Sequence, residues 1–86
     1  MANVTIRYWA AAKDAAGMAE ESVEAVTLAG ALADVLAARP GEDRLRQVLS
    51  RSSFLVNGLP VRRGAHEETV LEDGATIEVL PPFAGG

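Results

Sequence analysis

The sequence contains no cysteine, and this absence removes several kinds of chemistry at once. Disulfide staples, thiolate metal sites, a cysteine nucleophile and a persulfide carrier are all excluded. Any handling of sulfur would have to proceed without a thiol. There is a single histidine, His66, in a polar stretch with Glu67 and Glu68. One imidazole beside adjacent acids has no metal-ligand spacing, so the stretch reads as a solvated loop and no metal site is expected. Lysine occurs once, at Lys13, and the other basic residues are arginine. No apolar run approaches the roughly 18 residues of a membrane span. Met1-Ala2-Asn3 offers no basic leader region, and a cytoplasmic address without a membrane is expected. A formal charge of −4 argues against nucleic acid, which needs a basic face, and suits docking on a basic protein.

What is present fits one small domain. Eighty-six residues with 49% hydrophobic content can hold a modest core but no deep pocket as well. Val4, Ile6 and Tyr8 alternate with polar residues and predict a strand, and Glu21 to Val26 alternates again as its antiparallel partner. Ala10 to Met18 reads as the loop between them. Thr27 is placed as a helix N-cap, and Leu28, Leu32, Val35 and Leu36 form one helical stripe, with Asp34 off it. Arg39 suits the C-terminal end of that helix, which Pro40-Gly41 stops; Gly30 falls in its middle at a cost in propensity. A shorter helix is expected from Asp43 to Ser50 with Leu45, Val48 and Leu49 inward. Phe54 to Val56, Leu59 to Arg62 and Thr76 to Leu80 read as three more strands, with Asn57-Gly58 and Asp73-Gly74 as turns. The expected architecture is α+β: a mixed sheet of four to five strands covered by one main helix, the β-grasp or ubiquitin-like arrangement. The domain is assigned to residues 1–80 and an extended tail to 81–86.

That tail is the chemical feature. Pro81 and Pro82 lack the N–H a sheet ladder needs and favour an extended course. Phe83, Ala84, Gly85 and Gly86 follow without a charge, and the two glycines would pass a channel too narrow for any side chain. Gly86 would present a carboxylate, inert until adenylated, after which sulfide would leave a nucleophilic thiocarboxylate. A frayed glycine end is the plain alternative, disfavoured because stiff prolines follow directly on an apolar strand.

Val4-Thr5-Ile6-Arg7-Tyr8-Trp9-Ala10, Phe54-Leu55-Val56-Asn57 and above all Leu71 to Gly86, with Asp73-Gly74, Pro81-Pro82 and Gly85-Gly86, resemble the MoaD family, the small subunits of molybdopterin synthase, within the MoaD/ThiS sulfur carriers. The departures are Lys13-Asp14 for the family's Arg-Glu, Ala75 for an acid, and Phe83 for a smaller aliphatic. The resemblance implies adenylation of Gly86 by an E1-like (MoeB-like) enzyme that uses ATP. It implies sulfur from a sulfurtransferase or cysteine desulfurase, and transfer to a pyranopterin in a large (MoaE-like) subunit that holds the catalytic groups. Gly86 would be the reacting group, recognised through Pro81, Pro82, Phe83, Ala84 and Gly85, with no cofactor bound to this chain. Carriers for cysteine or thiamine synthesis, and a ubiquitin-like modifier of protein lysines, are the alternatives. A structural β-grasp module is the bland one.

The acid pairs Glu20-Glu21, Glu42-Asp43 and Glu72-Asp73 read as surface, turn or cap residues, since neighbours on a strand face opposite ways. Arg62-Arg63 reads as charge guarding a sheet edge, with a partner's acids or a phosphate as the other role. Trp9 is open between core and interface.

Overall fold

The computed structural model describes residues 1–82. Strand β1 spans Ala2–Tyr8, helix α1 Ala10–Ala16, β2 Glu20–Ala25, α2 Leu28–Ala37, α3 Asp43–Arg51, β3 Ser53–Val56, β4 Leu59–Pro60 and β5 Thr76–Leu80. The strands form one sheet in the order β2-β1-β5-β3-β4. Only the β1–β5 pairing is parallel, so the sheet is mixed, with β5, the last strand in sequence, at its centre. This is the β-grasp fold.

One face of the sheet carries the core. Val4, Ile6 and Tyr8 of β1, Phe54 of β3 and Ile77 and Val79 of β5 are buried, and their intervening neighbours point away, as period two requires. The helices close over this face. On α2 the buried line is Leu28, Ala31 and Val35, with Leu32 and Leu36 only partly covered. The expected stripe is therefore rotated: small Ala31 takes the closest approach, and the two leucines fall to its side. On α3, Leu45 and Leu49 enter the same core and Val48 packs at its margin.

Two expectations are corrected here. Ala10 to Met18 is not a loop: seven of its residues form α1, ended by Gly17 in the left-handed conformation at φ 79°. Alanine is the best helix former, but Ala10-Ala11-Ala12-Lys13-Asp14-Ala15-Ala16 carries no large apolar residue and so no visible stripe. Helix α1 thus joins the main helix α2 and the shorter α3, both expected, against the sheet. The strand expected from Leu59 to Arg62 stops at Pro60, which has no N–H for the ladder; a single bond from the Val61 N–H to the Phe54 carbonyl (3.0 Å) prolongs the pairing.

The polar stretch after Gly64 is irregular, as expected, but it has a task. Helix α2 begins at Thr27, whose Oγ1 accepts the Gly30 N–H at 3.1 Å. Gly30 accordingly lies in the first turn rather than mid-helix. The N–H groups of Leu28 and Ala29 donate to the carbonyls of Thr69 and His66, both at 3.0 Å. The N–H groups that a helix start leaves open are thereby satisfied by a segment about forty residues away. His66 is held rather than solvated: it is half-buried and meets the Phe54 ring edge-on at 5.0 Å between centroids.

The turns follow their residues. Asn57 and Gly58 both have positive φ (51° and 80°), the pair that a two-residue hairpin with the sheet's twist demands. Asn57 also docks on β5, its Oδ1 accepting the Thr76 N–H at 2.9 Å and its own N–H donating to the Thr76 carbonyl at 2.8 Å. Asp73 Oδ1 accepts the Asn3 N–H at 2.8 Å and ties the last turn to β1.

Candidate functional site

The expected reacting group lies at the end of β5, so the geometry of that strand decides where it is presented. β5 has a hydrogen-bonded neighbour on each side, β1 and β3, and its inward residues Ile77 and Val79 are fully buried. The neighbours end together with it. Tyr8, the last residue of β1, lies opposite Val79, and Ser53, the first of β3, lies opposite Leu80. A final bond from the Trp9 N–H to the Val79 carbonyl closes the ladder at 3.3 Å. Pro81, half-buried, and Pro82, exposed, then leave the sheet with no N–H to offer. Whatever follows is carried on the central strand of the sheet, paired on both sides. Of the residues singled out in the sequence, Pro81 and Pro82 stand at this root; Phe83, Ala84, Gly85 and Gly86 lie outside the described residues.

Around the root the outer face of the sheet is partly apolar. One row across it runs Leu55, Glu78, Arg7 and Glu20, on β3, β5, β1 and β2. Arg7 Nε lies 3.6 Å from Glu20, and the Arg7 guanidinium stands 5.2 Å from the centroid of the Trp9 ring. Trp9 is 43% exposed, so this aromatic faces outward rather than into the core. Leu55 and Leu80 are partly open on the same face. Period-two alternation in the sequence already puts Leu80 beside Glu78, on the side away from Ile77 and Val79, but nothing local gives Leu55, Leu80 or Arg7 a role in the site.

A second polar constellation is structural. Glu21, read as surface from the sequence, is partly buried, and its Oε2 accepts both the Tyr8 hydroxyl and an Arg39 N–H, each at 2.6 Å. Arg39 Nη1 also donates to the Val35 carbonyl at 3.1 Å, at the C-terminal end of α2 where a cation is favoured. Burial, then the hydrogen bond and the charge of Glu21, hold the Tyr8 phenol well above the ordinary tyrosine range, so it stays a donor. The knot ties α2 to β1 and β2. Of the other acid pairs, Glu42 occupies the N-cap position of α3 without a side-chain bond, and Glu20 and Asp73 serve as described. Among the described residues no three histidine, cysteine or acidic side chains converge as metal ligands, and no helix is long and apolar enough to cross a membrane.

The model of the ThiS family matches residues 6–86, and the chain belongs to that family. The fold agrees. Small archaeal modifier protein 1 from Methanosarcina acetivorans superposes with a TM-score of 0.82 at 26% identity, covering 100% of this chain and 98% of that one. A chain of the protein–protein complex of subunits 1 and 2 of molybdopterin-converting factor from Helicobacter pylori gives 0.69 at 24% identity, covering 98% of this chain and 99% of that one. The thiamine biosynthesis protein ThiS from Geobacter metallireducens gives 0.58 at 20% identity, covering 98% and 99%. No curated protein matches the sequence. Family and fold together define a ubiquitin-like β-grasp protein of the ThiS family.

Proposed function

We propose that the chain is the sulfur-donating small subunit of a molybdopterin synthase, with Gly86 as its reacting residue. The observation that carries this reading is the closing segment: a central strand that ends with both neighbours, then Pro81-Pro82, then Gly85-Gly86. In the cycle, the Gly86 carboxylate attacks the α-phosphate of ATP on an E1-like enzyme and expels pyrophosphate. Sulfide, delivered by a sulfurtransferase system, displaces AMP and leaves the thiocarboxylate. The large subunit then uses that sulfur on its pyranopterin substrate. This chain supplies no acid or base to the reaction. It supplies a terminal acyl group, a rigid root for it, and a docking face of Trp9, Leu55 and Leu80 flanked by Arg7 and Glu78.

Intact mass spectrometry after incubation with ATP, an E1-like enzyme and a sulfur source tests the carrier chemistry. The expected result is a gain equal to one sulfur-for-oxygen exchange, lost when Gly86 is deleted or one residue is added after it, with thermal melts unchanged. Normal loading of either variant defeats the terminal-acyl mechanism. Reconstitution with a large synthase subunit and the pyranopterin precursor tests the pathway, and loading without dithiolene formation would move the assignment to a carrier for cysteine, thiamine or another thio-metabolite.

The likeness to an archaeal modifier at 26% identity favours a second reading, in which the same adenylate is attacked by protein lysines. Covalent conjugates ending in Gly86, resistant to thiols, would support it.

A further inference from the structure

The charges of this chain are segregated. Residues 44–66 contain five arginines (Arg44, Arg46, Arg51, Arg62 and Arg63) and no acid, so the other 63 residues hold three basic side chains against all twelve acids. Outside the segment, Arg7 and Arg39 pair with Glu20 and Glu21. Among the described residues none of the five arginines forms an ion pair, although carboxylates are in excess, and all five are exposed. An arginine patch left unpaired on an acidic protein is a positive field facing outward.

Two of the five border a groove. Helix α3 packs against α1 and α2 lies against β2, which leaves a cleft between α2 and α3 over the start of β3. Its volume is about 340 Å³. Leu32, Leu36, Leu49, Phe54 and Val61 give it apolar walls, and Arg46, Arg63 and His66 stand at its edge. These are the leucines that the rotation of α2 leaves partly uncovered.

We infer that this groove docks an acidic segment of a partner protein, its apolar side chains on the leucine–phenylalanine walls and its carboxylates on Arg46 and Arg63. Of the serines that also line the cleft, Ser50 and Ser52 donate their hydroxyls to the carbonyls of Gln47 and Val48, and among the described residues no buried side-chain nitrogen or oxygen lacks a partner, so nothing enclosed and polar awaits a small molecule. A phosphate chain would meet three basic residues against twelve acids on the rest of the domain. An acidic protein segment matches both the walls and the rim. The groove lies on the helix side of the sheet, while Leu55 and Leu80 look out from the other face, so a protein seated here leaves the tail's own docking face open. The inference is independent of the chemistry at Gly86.

Random peptides displayed on phage, selected on the full chain and counter-selected on R46E/R63E, test it. The expected survivors place Asp or Glu beside Leu, Ile or Phe. Their synthetic copies should bind the parent on the order of tenfold more tightly than the double variant and weaken as salt is added. They should shift the amide resonances of α2, α3 and residues 61–66, not those of β1. If R46E/R63E melts at a lower temperature than the parent, R46Q/R63Q takes its place. The proposal is overturned if nothing survives counter-selection, if survivors are neutral or basic, or if the shifts map to the outer sheet face. Tighter binding of a short RNA or an anionic vesicle than of any peptide overturns it too, as does a concentration-dependent dimer that R46E/R63E abolishes.

Discussion

Tyr8→Phe removes one oxygen from a side chain that is 2% exposed and leaves its ring in place. The lost bond is a 2.6 Å hydroxyl-to-carboxylate contact with Glu21. Bonds to charged groups contribute about 1.5–3 kcal/mol, and Glu21 keeps its Arg39 partner, so the loss belongs at the lower end, about 1.5 kcal/mol. For a domain of this size that corresponds to a fall of about 6–12 °C in Tm. The same bond makes a second, sharper statement about pH. The folded phenol's pKa is raised, by burial first and by Glu21 next, above its unfolded value of about 10. The stability it contributes is therefore complete below about pH 10 and is lost as pH climbs toward the folded value, at about 1.4 kcal/mol per unit. The difference between parent and Tyr8→Phe should close near pH 11, about one unit above the unfolded pKa. Urea titrations of both proteins at stepped pH measure this difference, and groups common to both cancel. Tyr8 is the only tyrosine, so phenolate absorbance reports on it alone. A gap that stayed constant to pH 11, or phenolate appearing in the folded protein near the ordinary tyrosine pKa, would refute the reasoning.

Leu28 is fully buried at the start of α2, so Leu28→Ala should cost about 2–5 kcal/mol. Leu32→Ala, at the groove wall, should cost measurably less, and Asp34→Ala under about 0.5 kcal/mol; urea titrations that reversed the order of the two leucines would contradict the observed rotation of the helix. On the proposed function, Phe83→Ala should leave the melting temperature unchanged and weaken binding to the large synthase subunit by about 1–2 kcal/mol. Calorimetric titration beside thermal melts checks this, and a large fall in melting temperature at unchanged affinity would defeat the role of Phe83 as an interface anchor.

Strands β1 and β5 are legible because each turns one set of alternate residues into the core. Val4-Ile6-Tyr8 and Ile77-Val79 alternate with polar neighbours, and that pattern survives in one dimension. Thr27 was legible as a cap because its hydroxyl acts within three residues. Helix α1 was not, since a run of alanines buries Ala12 and Ala16 without a large apolar side chain to mark the phase. The phase of α2 was misplaced for a related reason: volume made Leu32 and Leu36 look central, whereas the closest packing went to Ala31. His66 and Glu21 were read as solvated because a polar residue's sequence neighbours do not reveal its partner. Phe54 lies 12 residues from His66, and Arg39 lies 18 from Glu21.

The sequence by itself determined the elements whose causes are local: the alternating strands, the Thr27 cap, the Asn57-Gly58 and Asp73-Gly74 turns, and the stiff Pro81-Pro82 before the glycines. It also determined, through the absence of cysteine, that sulfur could be carried only on something other than a thiol. Tertiary structure alone decided that the last strand in sequence is the central one in space, clamped between β1 and β3, so that Pro81 and Pro82 leave from the middle of the sheet. It alone gathered Arg46 of α3 and Arg63 of the turn after β4 onto one apolar groove. Strand order and long-range juxtaposition depend on which faces exclude water together. No window of neighbouring residues contains that information, because the groups that meet are separated by many turns of chain.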